Sequence, residues 1–381
     1  MNQGDQRQGL APVAYVLLGV MGLAVVLGFC LHGEWRAFFK ASQEGALMAL
    51  TGVLAYMGLK SSVARTSAWL LLGGLLSLLV ACNVGFTAAI NGVHGKSLSL
   101  HSLSPEAIRL LGCVAVASVL AALTSLVPLF KSSRRLCTAI TGNTEWTSVR
   151  VMALGGVLAI TLLLFVPICS MGEAPMLALL QQDGGLSKKL LDGMSNTSGQ
   201  LSAEMYELCW SLLAAMLAVG LGVRRNWRQC LDRLGLVRLS PRQIVVALGL
   251  TVLVYGLSEG LDLVISHVWG FFNWPTTDEK SYEAIFKAFS SPVGAIVVGV
   301  SAGFGEEVLV RGMLQPRLGI LLSSLFFTAL HAYQYNWDAL SSVFVFGLAL
   351  GLIRKKTNTS VCVIIHGGYD FLIKMIDVLS K

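Results

Sequence analysis

Two stretches of this chain, Leu10–Leu31 and Ala68–Ile90, contain no charged residue at all. A helix that crosses a bilayer needs ~20 consecutive apolar residues, because the hydrocarbon core is ~30 Å thick and a helix rises ~1.5 Å per residue. Both stretches meet that length, and no ordinary soluble core calls for such runs. Composition agrees: of 381 residues, 55% are hydrophobic and 13% are charged, about half the charge of a typical soluble domain. Charge is costly in hydrocarbon, so its scarcity fits a chain immersed in lipid. The sequence is therefore expected to fold as an all-α, polytopic transmembrane bundle.

Apolar length predicts about eleven helices. They are Leu10–Leu31, Gly45–Leu59, Ala68–Ile90, Leu110–Phe130, Val151–Ser170, Met205–Val223, Ile244–Ser266, Pro292–Val310, Gly319–Tyr333, Ala339–Ile353 and Thr359–Val378. Leu10–Leu31 is too long for a signal h-region and reads as a retained first helix. Lys and Arg concentrate in alternate connections, such as Arg224–Arg242 and Arg354–Lys356. By the positive-inside rule, these connections and the N-terminus are cytoplasmic. The net charge of +7 thus sets topology, and no nucleic-acid partner is expected. The expected location is a membrane, the bacterial inner membrane by this reading.

The chain divides into an amino-terminal transmembrane region (1–223) of unassigned role, a basic cytoplasmic connection (224–242) and a carboxy-terminal membrane domain (243–381). In the first region no residue stands out chemically. Its outer connection, Met171–Ser202, holds a short amphipathic stretch, Leu186–Met194, suited to a membrane surface. The eight cysteines lack any Cys-x-x-Cys spacing and read as packing residues.

Ionisable groups inside membrane segments are functional candidates by default, and the last third concentrates them. Glu306 and Glu307 lie near the inner end of one apolar helix. Glu307 and Arg311 are four apart, so they share a helix face and can pair. Glu306 points about 100° away and has no cation one turn on. A carboxylate placed in that way suits general acid–base chemistry. His331 ends the run Phe327-Thr328-Ala329-Leu330-His331, and His366 and Asp370 share a face of the final helix. Gly367 and Gly368 leave room there for close approach of a neighbour.

These ordered motifs resemble the CAAX protease and bacteriocin-processing family of intramembrane proteases, related to the Ras-converting CAAX endopeptidase. The resemblance covers Glu306-Glu307-x-x-x-Arg311, Phe327-x-x-x-His331 and His366-x-x-x-Asp370, roughly Ser291–Asp377. It implies that Glu306 activates water, that His331 assists, and that His366 with Asp370 stabilises the oxyanion. Glu307 would share in the catalytic group, and Arg311 and Phe327 would support it or bind substrate. Asp370 departs from the Asn found in many members. Beside the motifs, the resemblance implies a membrane-associated protein or peptide substrate and no required cofactor.

Two other readings remain open on the residues alone. In one, His331, His366 and Asp370 hold a divalent metal such as zinc, with Glu306 as base; no His-Glu-x-x-His occurs in the chain. In the other, the protein is a transporter or immunity scaffold whose acids, including Glu259 and Asp262, relay protons. Transporters commonly show repeated halves, and none is evident here.

Overall fold

The computed structural model describes residues 11–91, 104–142, 145–181, 187, 191–192 and 196–380. Its elements run α1 (Ala11–Cys30), α2 (Gly33–Lys40), α3 (Ser42–Met57), α4 (Ser62–Ile90), α5 (Pro105–Leu123) and α6 (Lys131–Thr141). They continue through α7 (Ser148–Met171), α8 (Pro175–Leu180), α9 (Thr197–Ala218), α10 (Trp227–Leu234), α11 (Pro241–Phe272) and α12 (Glu279–Phe286). The last are α13 (Pro292–Ser301), α14 (Gln315–Leu330), α15 (Trp337–Lys356) and α16 (Thr359–Leu379). No strand occurs among the described residues. The amphipathic stretch Leu186–Met194 falls largely outside them.

Eight helical runs among the described residues are long and apolar enough to cross a membrane. The longest, Pro292–Leu330, contains a break at Gly319, where φ is +79° and ψ is 177°. Only glycine occupies that region without strain, and the break separates the two helices expected on either side of it. Large apolar side chains cover the outside of the bundle, including Leu70, Leu120, Val245, Leu257 and Leu263. Together these features define a polytopic integral membrane protein.

The helix α11 illustrates the lipid-facing design. It has 32 residues, of which only Ala247 and Thr251 are buried. It begins with a capping box, in which Ser240 and Gln243 satisfy each other's backbone N–H groups, and it ends at Asn273 in the left-handed conformation. Its inner face packs on α15 and α16.

The largest core crosses the middle of the chain. Met21, Val53, Leu154, Trp210 and Leu217 pack with Leu234, Val308, Met313, Leu318 and Phe327. The basic connection joins this packing through α10, whose Leu234 is wholly buried. Arg233 Nη1 donates to the Gly312 carbonyl at 2.9 Å. The Gly235 carbonyl accepts from Thr359 N at 3.0 Å, which holds the start of α16. The connection therefore anchors both helices that carry the candidate site.

One element differs in kind from the expectation. Pro292–Val310 reads as a single α-helix, but the chain is α-helical only to Ser301. It continues as π-helix over Ala302–Glu306 and Val308–Leu314. A π-register widens the backbone ring and is favoured only where tertiary contacts repay it, commonly at functional sites.

Candidate active site

Close glycine packing brings the two acid-bearing and histidine-bearing helices together. A Cβ added at Gly299 would stand 2.5 Å from the Gly367 carbonyl oxygen, and one at Gly303 would stand 2.7 Å from that of Val363. Small residues four apart allow such backbone contact between membrane helices. The approach sets α16 against the π-helical segment and places His366 beside Glu306 and Glu307.

His366 is the hub of the site. Its Nδ1 lies 2.9 Å from Glu307 Oε1, so Nδ1–H donates to the carboxylate. Its Nε2 faces Asp370 Oδ2 at 3.5 Å and Glu306 Oε2 at 4.0 Å. The rings of Phe327 and Phe346 stand edge-on to it, at centroid distances of 5.7 and 5.0 Å. Hydrogen bond and packing together fix the ring's orientation.

Glu307 and Arg311 are both fully buried, with Nε 3.5 Å from Oε2. That separation is a charge contact longer than a hydrogen bond. Arg311 Nη2 donates to the Gly347 carbonyl at 3.2 Å, and its guanidinium lies 4.9 Å from the Phe327 ring centroid. With no exposure, Arg311 cannot touch a substrate in this structure. Phe327 is 2% exposed and packs against Arg311, His331 and His366.

Glu306 behaves differently from its neighbour. Its side chain is 33% exposed, yet Oε2 is buried and takes no hydrogen bond among the described residues. His331 closes α14, and its Nδ1 is 3.0 Å from the Phe327 carbonyl oxygen. A carbonyl only accepts, so Nδ1 carries the proton and Nε2 keeps its lone pair in the neutral ring. The turn after His331 is pinned by Asn336, whose side chain accepts from Ala174 N at 2.6 Å and donates to the Thr276 carbonyl at 3.0 Å.

Glu306, His331, His366 and Asp370 all line one cavity of about 1160 Å³. The structure thus brings together every residue that the sequence nominated, with Glu307 and Arg311 behind the wall. Among the described residues, no group of three or more His, Cys, Asp or Glu side chains is arranged to hold a metal ion.

The same cavity holds residues that the sequence reading passed over. Glu204 and Glu207, on α9 of the amino-terminal region, line it. Glu204 is hydrogen-bonded to Ser301 and close enough to Glu306 for their charges to interact. The signal was present in the sequence, since an acid in an apolar helix is a candidate wherever it falls. It was missed because α9 lacks a neighbouring histidine or a recognisable motif.

Residues 288–372 match the family model described as type II CAAX prenyl endopeptidase Rce1-like. Over this segment, well under half of the chain, the protein is similar to that family of peptidases. The matched segment contains Glu306, Glu307, Arg311, Phe327, His331, His366 and Asp370. Comparisons with curated proteins and with solved structures returned no match.

Proposed function

We propose that the protein is an intramembrane endopeptidase in which Glu306 activates water. The observation that carries this reading is the contrast at the Glu306–Glu307 pair. Glu307 is fully buried against Arg311 and His366, whereas Glu306 is one-third exposed and lines the cavity.

In the proposed reaction, Glu306 takes a proton from water, and the hydroxide adds to the carbonyl carbon of the scissile peptide. The carbonyl π electrons move to oxygen. His331, with Nε2 as an acceptor, helps to orient the water. A doubly protonated His366 keeps Nδ1–H on Glu307 and offers Nε2–H to the oxyanion. Asp370 holds that nitrogen's side of the ring in place. The tetrahedral intermediate collapses, the C–N bond breaks, and Glu306 returns its proton to the leaving amine. The reaction as proposed needs no metal or other cofactor. The substrate is a membrane-associated protein or peptide. On charge distribution, we place the N-terminus and the 224–242 connection on the cytoplasmic side.

The test is to sequence new protein termini in membranes from cells that express the chain or its Glu306→Gln variant, with and without EDTA. The reading expects termini that appear with the wild-type chain, vanish with the variant and persist under EDTA. Termini that survive the substitution would remove Glu306 from the mechanism. Termini lost to EDTA and restored by zinc would favour a metal held by His331, His366 and Asp370.

A further inference from the structure

The charge lining the cavity is opposite to that of the chain. The chain carries 28 Lys and Arg against 21 Asp and Glu, yet among the described residues seven acids line the cavity against Lys374 and the His366 that the proposed reaction protonates. Lys374 is already engaged: Nζ is 3.5 Å from Asp377 Oδ2 and sits over the rings of Tyr282 and Phe286. Two of the acids, Glu306 and Asp370, belong to the reaction centre described above. A third, Asp338, accepts from Thr277 N and Oγ1 at 2.7 Å and fixes a loop.

The remaining acids sit on two different helices. Glu204 and Glu207 are three apart on α9, which packs on α13 and the π-helical turns. Glu259 and Asp262 are three apart on α11, which packs on α15 and α16. Residues three apart share a helix face, so each helix turns one acidic edge to the cavity. Glu204 has Ser301 as its partner, Glu259 has Tyr255, and Asp262 has Ser342. Those partners are hydroxyl groups, and among the described residues no ion pair neutralises these three acids. Hydroxyls satisfy hydrogen bonds but leave the negative charge in place. Carboxylates are expensive in membrane helices and concentrate where a polar ligand passes.

We propose that this cavity selects peptide segments with Lys or Arg beside the scissile bond, read by Glu204 on one wall and by Glu259 and Asp262 on the other. The occupant is the basic flank of a membrane-anchored protein; such flanks are common where spans end. The same charge disfavours a CAAX tail, which ends in a free carboxylate close to its prenylated cysteine. This inference rests on the peptidase reading for the chemistry of the site, but its test does not require turnover.

The test measures binding of short fluorescent peptides to purified Glu306→Gln protein in a neutral detergent. Three peptides share an apolar frame and differ only in central lysines, glutamines or glutamates. The lysine peptide is expected to bind about tenfold tighter than the glutamine peptide, and the glutamate peptide weakest. The preference should shrink with added salt. It should fall in Glu204→Gln and in Glu259→Gln/Asp262→Asn, each checked as monodisperse by gel filtration. Equal binding of lysine and glutamine peptides, or a preference unchanged in both variants, overturns the inference. The termini experiment separates the two claims. Cleavage sites without Lys or Arg enrichment overturn the selectivity and leave the peptidase standing, whereas absence of cleavage sites removes the peptidase and leaves the charge preference to be decided by the peptide binding.

Discussion

Among the described residues, the buried polar groups of the amino-terminal bundle are neutral, whereas the segment from α13 to α16 buries ionisable groups beside its neutral ones. In the first, Asn83 Nδ2 donates to Ser118 Oγ at 3.1 Å and to the Leu163 carbonyl at 2.8 Å, and Thr87 bonds back to its own helix. In the second, Glu307, Arg311, His366 and Lys374 are all buried. Neutral polar side chains join membrane helices cheaply, at well under 2 kcal/mol per hydrogen bond. Buried charges cost far more to place and demand compensation. Helix association needs only the first kind, so the second kind marks the region where we place the proposed chemistry.

The largest effect should come from breaking the charged interior. Arg311→Ala leaves Glu307 buried without its cation, which costs about 3–5 kcal/mol. Thermal unfolding should fall accordingly, with activity lost as His366 loses its support. Because the two side chains touch, Glu307→Gln should recover part of that loss in the double variant. Additivity of the two single variants would show that the pair is not coupled.

An intermediate effect should follow from the glycine contact that assembles the site. Gly367→Ala forces a methyl group against the α13 backbone, an overpacking worth about 1–3 kcal/mol. Displacement of His366 from Glu307 should reduce activity more than stability. A variant with normal turnover would show that the close approach is dispensable.

The smallest effect should come from the neutral interior. Asn83→Ala removes the bonds to Ser118 and Leu163 and the acceptor of the Tyr333 hydroxyl. Interhelical bonds of this type average roughly 0.6 kcal/mol, so unfolding should shift by only a few degrees. A loss as large as that of Arg311→Ala would erase the distinction between the two interiors.

The same physical difference explains what could be read from the sequence. Bilayer thickness sets helix length, so uninterrupted apolar runs located all eleven predicted helices near their observed places. Ion pairing of Glu307 with Arg311 follows from four-residue spacing and needs no tertiary knowledge. The link from Glu307 to His366 spans two helices, and no local pattern encodes it. The π-register over Ala302–Leu314 depends on what packs against it, as does the wall contributed by α9. Short helices such as Lys131–Thr141, Trp227–Leu234 and Glu279–Phe286 escaped notice because they are polar and brief, outside the length rule. The 224–242 connection has the composition of a solvated loop. Arg233, Leu234 and Gly235 instead tie that connection to both site helices.

The central claim is that adjacent carboxylates at 306 and 307 have separate jobs, one in the reaction and one in the scaffold. Thermal unfolding of purified Glu306→Gln and Glu307→Gln proteins, each paired with cleavage of a membrane substrate identified from its new termini, tests it most directly. The account expects Glu306→Gln to unfold within about 2 °C of wild type with cleavage abolished, and Glu307→Gln to lose both stability and cleavage. Destabilisation of the Glu306→Gln protein to the same degree as Glu307→Gln, or retained cleavage in it, would contradict the claim.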